Sequence, residues 1–112
     1  MDKKIKKYQH LLESFLQEEA SSKMIPGIEF QVITDTLHHH YQLIETGWYE
    51  KQFIHSVLFH FHIKPNGKIW LLANNTDVLI AEELVKKGVP AGDIVIGFHP
   101  EHVRGSTGFA VA

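Results

Sequence analysis

One stretch decides the fold, at residues 75–100: Asn75-Thr76-Asp77-Val78-Leu79-Ile80-Ala81-Glu82-Glu83-Leu84-Val85-Lys86-Lys87-Gly88-Val89-Pro90-Ala91-Gly92-Asp93-Ile94-Val95-Ile96-Gly97-Phe98-His99-Pro100. Thr76 is placed to cap a helix by accepting a backbone N–H bond, and Asp77 suits the positive end of the helix dipole. Gly88 can adopt the left-handed conformation that ends many helices, and Pro90 prevents continuation. The helix between these signals has one apolar face: Ile80, Ala81, Leu84 and Val85.

A short apolar strand follows that helix directly. Residues 94–98 are rich in β-branched side chains and apolar on both faces, which is typical of a strand inside a sheet. The rest of the chain must therefore supply the sheet on which this helix and this strand pack.

The sequence before the stretch predicts that sheet. Residues 28–35 alternate apolar and polar side chains, residues 41–45 form a second candidate strand, and residues 53–64 form the longest one. Asn66-Gly67 tolerates the positive φ of a tight turn, so residues 69–73 return as a fourth strand. In the longest strand the alternation predicts two faces, Val57, Phe59, Phe61 and Ile63 against Leu58, His60 and His62.

These elements together predict an α+β fold. Residues 2–20 form an amphipathic helix, and the order is an N-terminal helix, an antiparallel sheet of three to four strands, a second helix and a short C-terminal strand. The length of 112 residues suits one domain, so we expect residues 1–112 to form a single domain.

Composition excludes several classes of protein. The chain is 44% hydrophobic and 21% charged, which is typical of globular proteins, and it has no cysteine for disulfide or thiolate chemistry. It lacks a membrane-spanning run, and its Lys-rich start lacks the apolar core of a signal peptide, so we expect a cytoplasmic protein with no membrane association. Its net charge of −2 leaves no cationic surplus for phosphate contacts, so autonomous DNA binding is not expected.

The N-terminal helix has a broad apolar stripe for so small a domain. The stripe is formed by Ile5, Tyr8, Leu12 and Phe15, widened by Leu11 and Leu16. A second subunit or the chain's own sheet could cover it, and the first of these alternatives predicts a homo-oligomer.

Motifs spread over nearly the whole chain are similar to those of a known family. They are His40-Tyr41-Gln42-Leu43, Gly47-Trp48, Gly67-Lys68-Ile69-Trp70, Ile80-Ala81-Glu82-Glu83-Leu84, Gly88-Val89-Pro90, Asp93-Ile94-Val95 and Thr107-Gly108-Phe109-Ala110-Val111-Ala112. In this order and spacing they resemble the XisI family, cyanobacterial proteins named as controlling factors for excision of the fdxN element. The chain departs from the family at His38-His39, where members often carry a charged pair, and at His62, where they often carry Asp.

The resemblance implies a small α+β domain with no assigned active site and no cofactor. It also implies a partner protein, XisH, whose family looks nuclease-like, and an indirect role beside a site-specific recombinase. The leading hypothesis is therefore a non-catalytic controlling factor that works with an XisH-like protein in excision of a DNA element. In the alternative, the chain restrains that partner as an antidote restrains a toxin. A histidine-rich metal-binding module or small enzyme is the third reading.

Nine histidines carry the metal-binding alternative. His60 and His62 lie on one strand face, and with a carboxylate such as Glu45 or Asp35 they could bind a metal. Nothing in the sequence fixes a third ligand, and a wetter sheet face explains the same pattern, so no metal site is predicted.

The enzyme alternative rests on polar residues near the end of the chain. They are His99, Glu101, His102, Arg104, Ser106 and Thr107. The Gly-x-Ser-x-Gly, P-loop and His-Glu-x-x-His patterns are all absent, so no catalytic residue is predicted.

Three side chains are the candidate contacts for a partner or an anion: Trp48, His99 and Arg104. Trp48 is either a lid on the sheet or an exposed anchor, and packing into the core is the expected outcome. Arg104 is the only arginine, and its planar fork suits a carboxylate or phosphate. We expect it to pair with a carboxylate of its own domain.

The last residues, 108–112, are small and apolar, which is unusual for a solvated tail. Phe109 and Val111 share one face in a strand, so they could be buried together. The segment is therefore predicted to dock as an added strand, on its own sheet or on that of a neighbouring subunit.

Overall fold

A computed structural model of the chain describes residues 3–112. Within them the elements are α1 (Lys3–Ser22), β1 (Ile28–Asp35), β2 (His40–Tyr49), β3 (Gln52–Ile63), β4 (Ile69–Asn74), α2 (Ile80–Lys86), a 3-10 turn (Ala91–Asp93), β5 (Ile94–Ile96) and α3 (Glu101–Arg104). The predicted α+β fold is confirmed. The predicted start of the first helix at Asp2 lies outside the described residues.

The five strands of this part of the chain form one sheet in sequence order, β1-β2-β3-β4-β5. The first four are antiparallel neighbours, whereas β5 runs parallel to β4 after the crossover through α2. Parallel neighbours need such a crossover, which explains why the helix at residues 80–86 separates the two strands. One row of paired residues crosses the whole sheet: Asp35, His40, His62, Trp70 and Val95.

α1 lies on one face of the sheet and buries its apolar stripe there. Ile5, Tyr8 and Leu12 are buried, and the ring of Phe15 meets that of Phe59 edge-on at 5.3 Å between centroids. The stripe that predicted a homo-oligomer is thus covered by the chain's own sheet, so it no longer argues for a second subunit.

The start of α2 differs from the prediction. The helix begins at Ile80 and has no side-chain cap, because Thr76 closes a turn before it. The Thr76 hydroxyl accepts the N–H of Val78 at 3.1 Å and donates to Asn74 Oδ1 at 2.7 Å. A short polar side chain can close a turn as readily as it caps a helix, and here the turn prevails.

The end of α2 confirms the prediction. Gly88 has a φ of 104°, its N–H donates to the Val85 carbonyl at 3.0 Å, and the Val89 N–H donates to the Leu84 carbonyl at 3.0 Å. This pair of bonds is the Schellman motif, with buried Val89 and Leu84 as its apolar contact. Val85, predicted on the apolar face, is exposed.

A β-bulge at Leu58 overturns the predicted faces of β3. Leu43 pairs with Phe59 and its neighbour Ile44 pairs with Val57, so Leu58 is the extra residue. Leu58 is therefore buried beside Phe59, and Val57 turns to the opposite face. The prediction that Val57 shares the face of Phe59 is wrong for this reason.

The last residues dock on the chain's own sheet, as one of the two alternatives predicted. Ala110 forms a parallel bridge with Val95, and its N–H donates to the Ile94 carbonyl at 2.8 Å. Phe109 packs against the core, but Val111 is exposed, so the expected joint burial is wrong for Val111.

No helix within residues 3–112 combines the length and hydropathy that a membrane crossing requires.

Candidate interaction surface

The sheet face opposite α1 is solvent-accessible over β2 and β3. Outward positions of β2 are His40, Gln42, Ile44, Thr46 and Trp48. The positions of β3 that pair with or lie beside them are Phe53, His55, Val57, His60 and His62. We call these ten residues the open face. None of them is Asp, Glu, Lys or Arg, and all are partly or largely exposed.

Two exposed aromatic rings form one end of the open face. Trp48 is 61% exposed and Phe53 is 53% exposed, with 5.2 Å between ring centroids. The expectation that Trp48 packs into the core is wrong, because β2 continues to Tyr49 without a break in its alternation. Leu43 faces the core, and Trp48, five positions later, must face the other side.

Three histidines form the other end of the open face. His40 Nδ1 lies 3.0 Å from His60 Nε2, and the His40 ring stacks on His62 at 4.0 Å between centroids. Burial lowers the pKa of His60 and of His62, and nearby His40 lowers both further. Both imidazoles are therefore neutral at neutral pH, which lets rings stack and hydrogen-bond without repulsion.

The two carboxylates proposed as metal ligands are each hydrogen-bonded to another side chain. Glu45 points to the α1 face of the sheet, where its carboxylate accepts a bond from Ser56 Oγ at 2.7 Å. Asp35 lies 2.8 Å from His38 Nδ1, and this bond holds the pKa of Asp35 below its usual value. Within residues 3–112 no three His, Asp or Glu side chains are arranged to hold a metal ion.

Trp70 lies beside the histidine end of the open face, and two cationic side chains lie against its ring. It pairs with His62, its ring lies 3.7 Å from Lys64 Nζ, and the guanidinium carbon of Arg104 lies 5.0 Å from the ring centroid. A cation over an indole ring is attracted by the ring quadrupole. Trp70 Nε1 is buried without a partner among the described residues.

Arg104 does not form the expected pair with a carboxylate within the described residues. Its Nε–H donates to the His99 carbonyl at 3.1 Å, and its terminal N–H donates to the Val111 carbonyl at 3.2 Å. With Trp70 beneath it, the guanidinium ties the last residues to the sheet. These bonds use two of the five guanidinium N–H groups, so three remain for the anion-binding role predicted for Arg104.

The polar residues near α3 form no nucleophile–base pair in the described part of the chain. Ser106 Oγ donates to the Val103 carbonyl at 2.9 Å, and Thr107 Oγ1 donates to the Arg104 carbonyl at 2.8 Å. Both hydroxyls satisfy carbonyls at the end of α3, where such groups lack helical partners. The His99 ring lies against Phe98, at 5.1 Å between centroids.

A match to one protein family covers this fold almost from end to end. Residues 1–111 match the family described as XisI protein. The chain belongs to the XisI family. The resemblance found in the sequence motifs is thereby confirmed.

Two solved structures, both from Anabaena variabilis ATCC 29413, share the XisI fold of this chain. One, a XisI-like protein, is 42% identical with a TM-score of 0.90, over 96% of this chain and 99% of that one. The other, the fdxN element excision controlling factor XisI, is 30% identical with a TM-score of 0.81, over 97% of this chain and 99% of that one. No curated protein matches the chain.

The three predicted contact residues do not converge in this XisI-family structure. Trp48 lies at one end of the open face, whereas His99 and Arg104 lie near Trp70, beyond the opposite end. Sequence reasoning missed Phe53 as the partner of Trp48 in the aromatic pair. No local sequence signal identifies this pair, because the position of Phe53 opposite Trp48 depends on the register of β2 against β3.

Proposed function

We propose that this chain is a non-catalytic controlling factor that works with a nuclease-like, XisH-like partner protein in excision of a DNA element by site-specific recombination. The observation that supports it is the nearly full-length match to a protein named as the fdxN element excision controlling factor. In this proposal the chain acts in the cytoplasm as one domain, and it affects the recombinase only through the partner.

The composition of the open face supports a role in binding another protein rather than in catalysis. An uncharged, partly aromatic sheet face is the composition found at the centre of protein interfaces. Trp48 is an exposed anchor of the kind that dominates binding energy, and His99 and Arg104 offer a second contact near Trp70.

The experiment that tests the proposal uses the chain together with its partner. An XisH-like protein is co-expressed and co-purified with this chain, and DNA cleavage and element excision are measured with and without this chain. Greater excision when the chain is present supports a controlling factor. Reduced cleavage favours the restraining alternative, and failure of the two proteins to associate contradicts both.

We also propose that the chain alone does not bind duplex DNA tightly. Several cations are already engaged, since Lys4 Nζ lies 3.0 Å from Asp93 Oδ2 and Lys68 Nζ donates to an Ala112 oxygen at 2.5 Å. Fluorescence anisotropy at about 0.15 M salt is expected to show binding no stronger than that of a generic acidic protein. Tight binding that weakens steeply with added salt would contradict this prediction.

A further inference from the structure

The open face lacks formal charge over ten consecutive outward positions of two central strands, although 21% of the residues in the chain are charged. A solvated sheet face normally carries charged side chains in alternation with its buried ones. Depletion of charge combined with exposed aromatic rings is instead the pattern of an interface centre. Trp48 and Phe53 supply those rings.

The two margins of the open face carry opposite charges. On the β1 side, Glu29 and Asp35 occupy the outward positions that pair with Thr46 and His40. On the β4 side, Lys64 and Arg104 lie at the ring of Trp70. An acidic margin and a basic margin therefore flank a neutral centre.

We propose that a second copy of this chain covers the open face, with the two sheets face to face about a two-fold axis parallel to β2 and β3 and midway between them. This operation places β2 of one copy over β3 of the other, and β1 over β4. Trp48 then faces Phe53 of the second copy, and His40 faces its His62. Each contact occurs twice, as in any isologous interface.

Charge complementarity selects this arrangement and this occupant. The axis brings Asp35 of each copy toward Lys64 and Arg104 of the other, because β1 lies one strand outside β2 and β4 one strand outside β3. A two-fold axis across the strands would instead set β1 over β1 and bring acidic margins together. The neutral centre needs no oppositely charged partner, so a second copy satisfies both regions.

The histidines make this dimer sensitive to acid. Titratable and charged groups lie around these histidines on several elements: β1 (Glu29 and Asp35), β2 (His40), β3 (His55, His60 and His62), the adjoining turns (His38, His39 and Lys64) and α3 (Arg104). In the dimer these groups lie opposite the same groups of the second copy. Protonation would add like charges from both copies, and the two outward carboxylates of β1 in each copy, Glu29 and Asp35, are fewer than the histidines of the open face, so the dimer dissociates on acidification.

The test is the molar mass of the chain alone, by sedimentation velocity from micromolar to hundreds of micromolar concentration. Twice the chain mass of 12.8 kDa is expected near neutral pH. Trp48→Ser and Phe53→Lys should each weaken the dimer by about tenfold or more, since each removes an aromatic anchor from the interface. Met24→Lys is the matched control, because Met24 is 92% exposed and lies outside the open face.

Gln42→Lys is a third variant, which adds a charge to the open face beside His60 without removing an apolar group. Circular dichroism checks that every variant is folded. A monomer mass at all concentrations overturns the proposal and leaves the open face to a different protein. A dimer unaffected by the three open-face variants, or one that tightens at about pH 5.5, overturns it as well. The chain is tested without any partner protein, so this outcome is independent of the proposed function.

Discussion

At the scale of single residues, Gly47 is held by close backbone contact. Its φ is 146°, and a Cβ at this position would lie 2.0 Å from the Gly27 carbonyl oxygen. Gly47→Ala is therefore expected to push β1 from β2 and to lower the free energy of unfolding by roughly 2–3 kcal/mol, measured by urea denaturation.

The matched control is Gly92→Ala, because a Cβ there meets nothing within 4 Å and its φ is not positive. This variant should remain within about 0.5 kcal/mol of the parent protein. If the two variants lose the same free energy of unfolding, the close contact with Gly27 is not what excludes a side chain at position 47.

At the scale of elements, the end of α2 requires glycine at position 88 because of its backbone conformation, not because a side chain would clash there. Gly88 has a φ of 104°, but a Cβ there would meet nothing within 4 Å. Gly88→Ala should cost about 1 kcal/mol in the free energy of unfolding, from the left-handed backbone alone. Gly105→Ala is the control, since Gly105 ends α3 with a right-handed φ of −61°. If Gly105→Ala lowers the free energy of unfolding as much as Gly88→Ala does, the left-handed backbone at Gly88 is not the cause.

The histidines of β3 should make the stability of the monomer depend on pH. The pKa of His60 and of His62 is lowered in the folded chain, first by burial and then by His40. The unfolded chain therefore binds more protons below an imidazole pKa of about 6.5, so stability is full above that pH and declines as pH falls.

Urea denaturation followed by tryptophan fluorescence at nanomolar concentration, where association does not contribute, measures this decline. The double variant His60→Gln/His62→Gln should show a smaller loss between about pH 7.5 and pH 5.5 than the parent protein. His10→Gln, at an exposed position of α1, should leave the pH dependence as it was. The same pH dependence in parent and double variant would mean that other groups cause it.

At the scale of the whole molecule, the last residues close the sheet edge. Phe109 packs against the core, Ala110 bridges to Val95, and Arg104 holds the Val111 carbonyl. Phe109→Ala should lower the free energy of unfolding by about 2 kcal/mol, less than for a fully buried ring, measured by thermal denaturation. Val111→Ala should change it by less than about 0.5 kcal/mol, because Val111 is exposed. If the two variants lose the same free energy of unfolding, Phe109 does not anchor residues 108–112.

The sequence by itself determined the order of the strands and of the two longer helices, but not the 3-10 turn or the short helix α3. Periods of 3.6 and 2 distinguish the helices from the strands, and the ends at Gly88 and the turn at Asn66-Gly67 depend on the φ angles of individual residues. These are local properties of the backbone, so they can be read without knowing which segments meet. Motifs along the chain also indicated the XisI family, and the family match over residues 1–111 confirmed it.

Only the tertiary structure decided what the surface contains. The bulge at Leu58 moved Val57 to the open face, and the unbroken alternation of β2 exposed Trp48. Trp70 and two backbone carbonyls, not a carboxylate, engage Arg104. Each outcome depends on register or on contacts between residues far apart in the chain, where one inserted residue reverses the face of every side chain beyond it. Local sequence patterns do not contain that information.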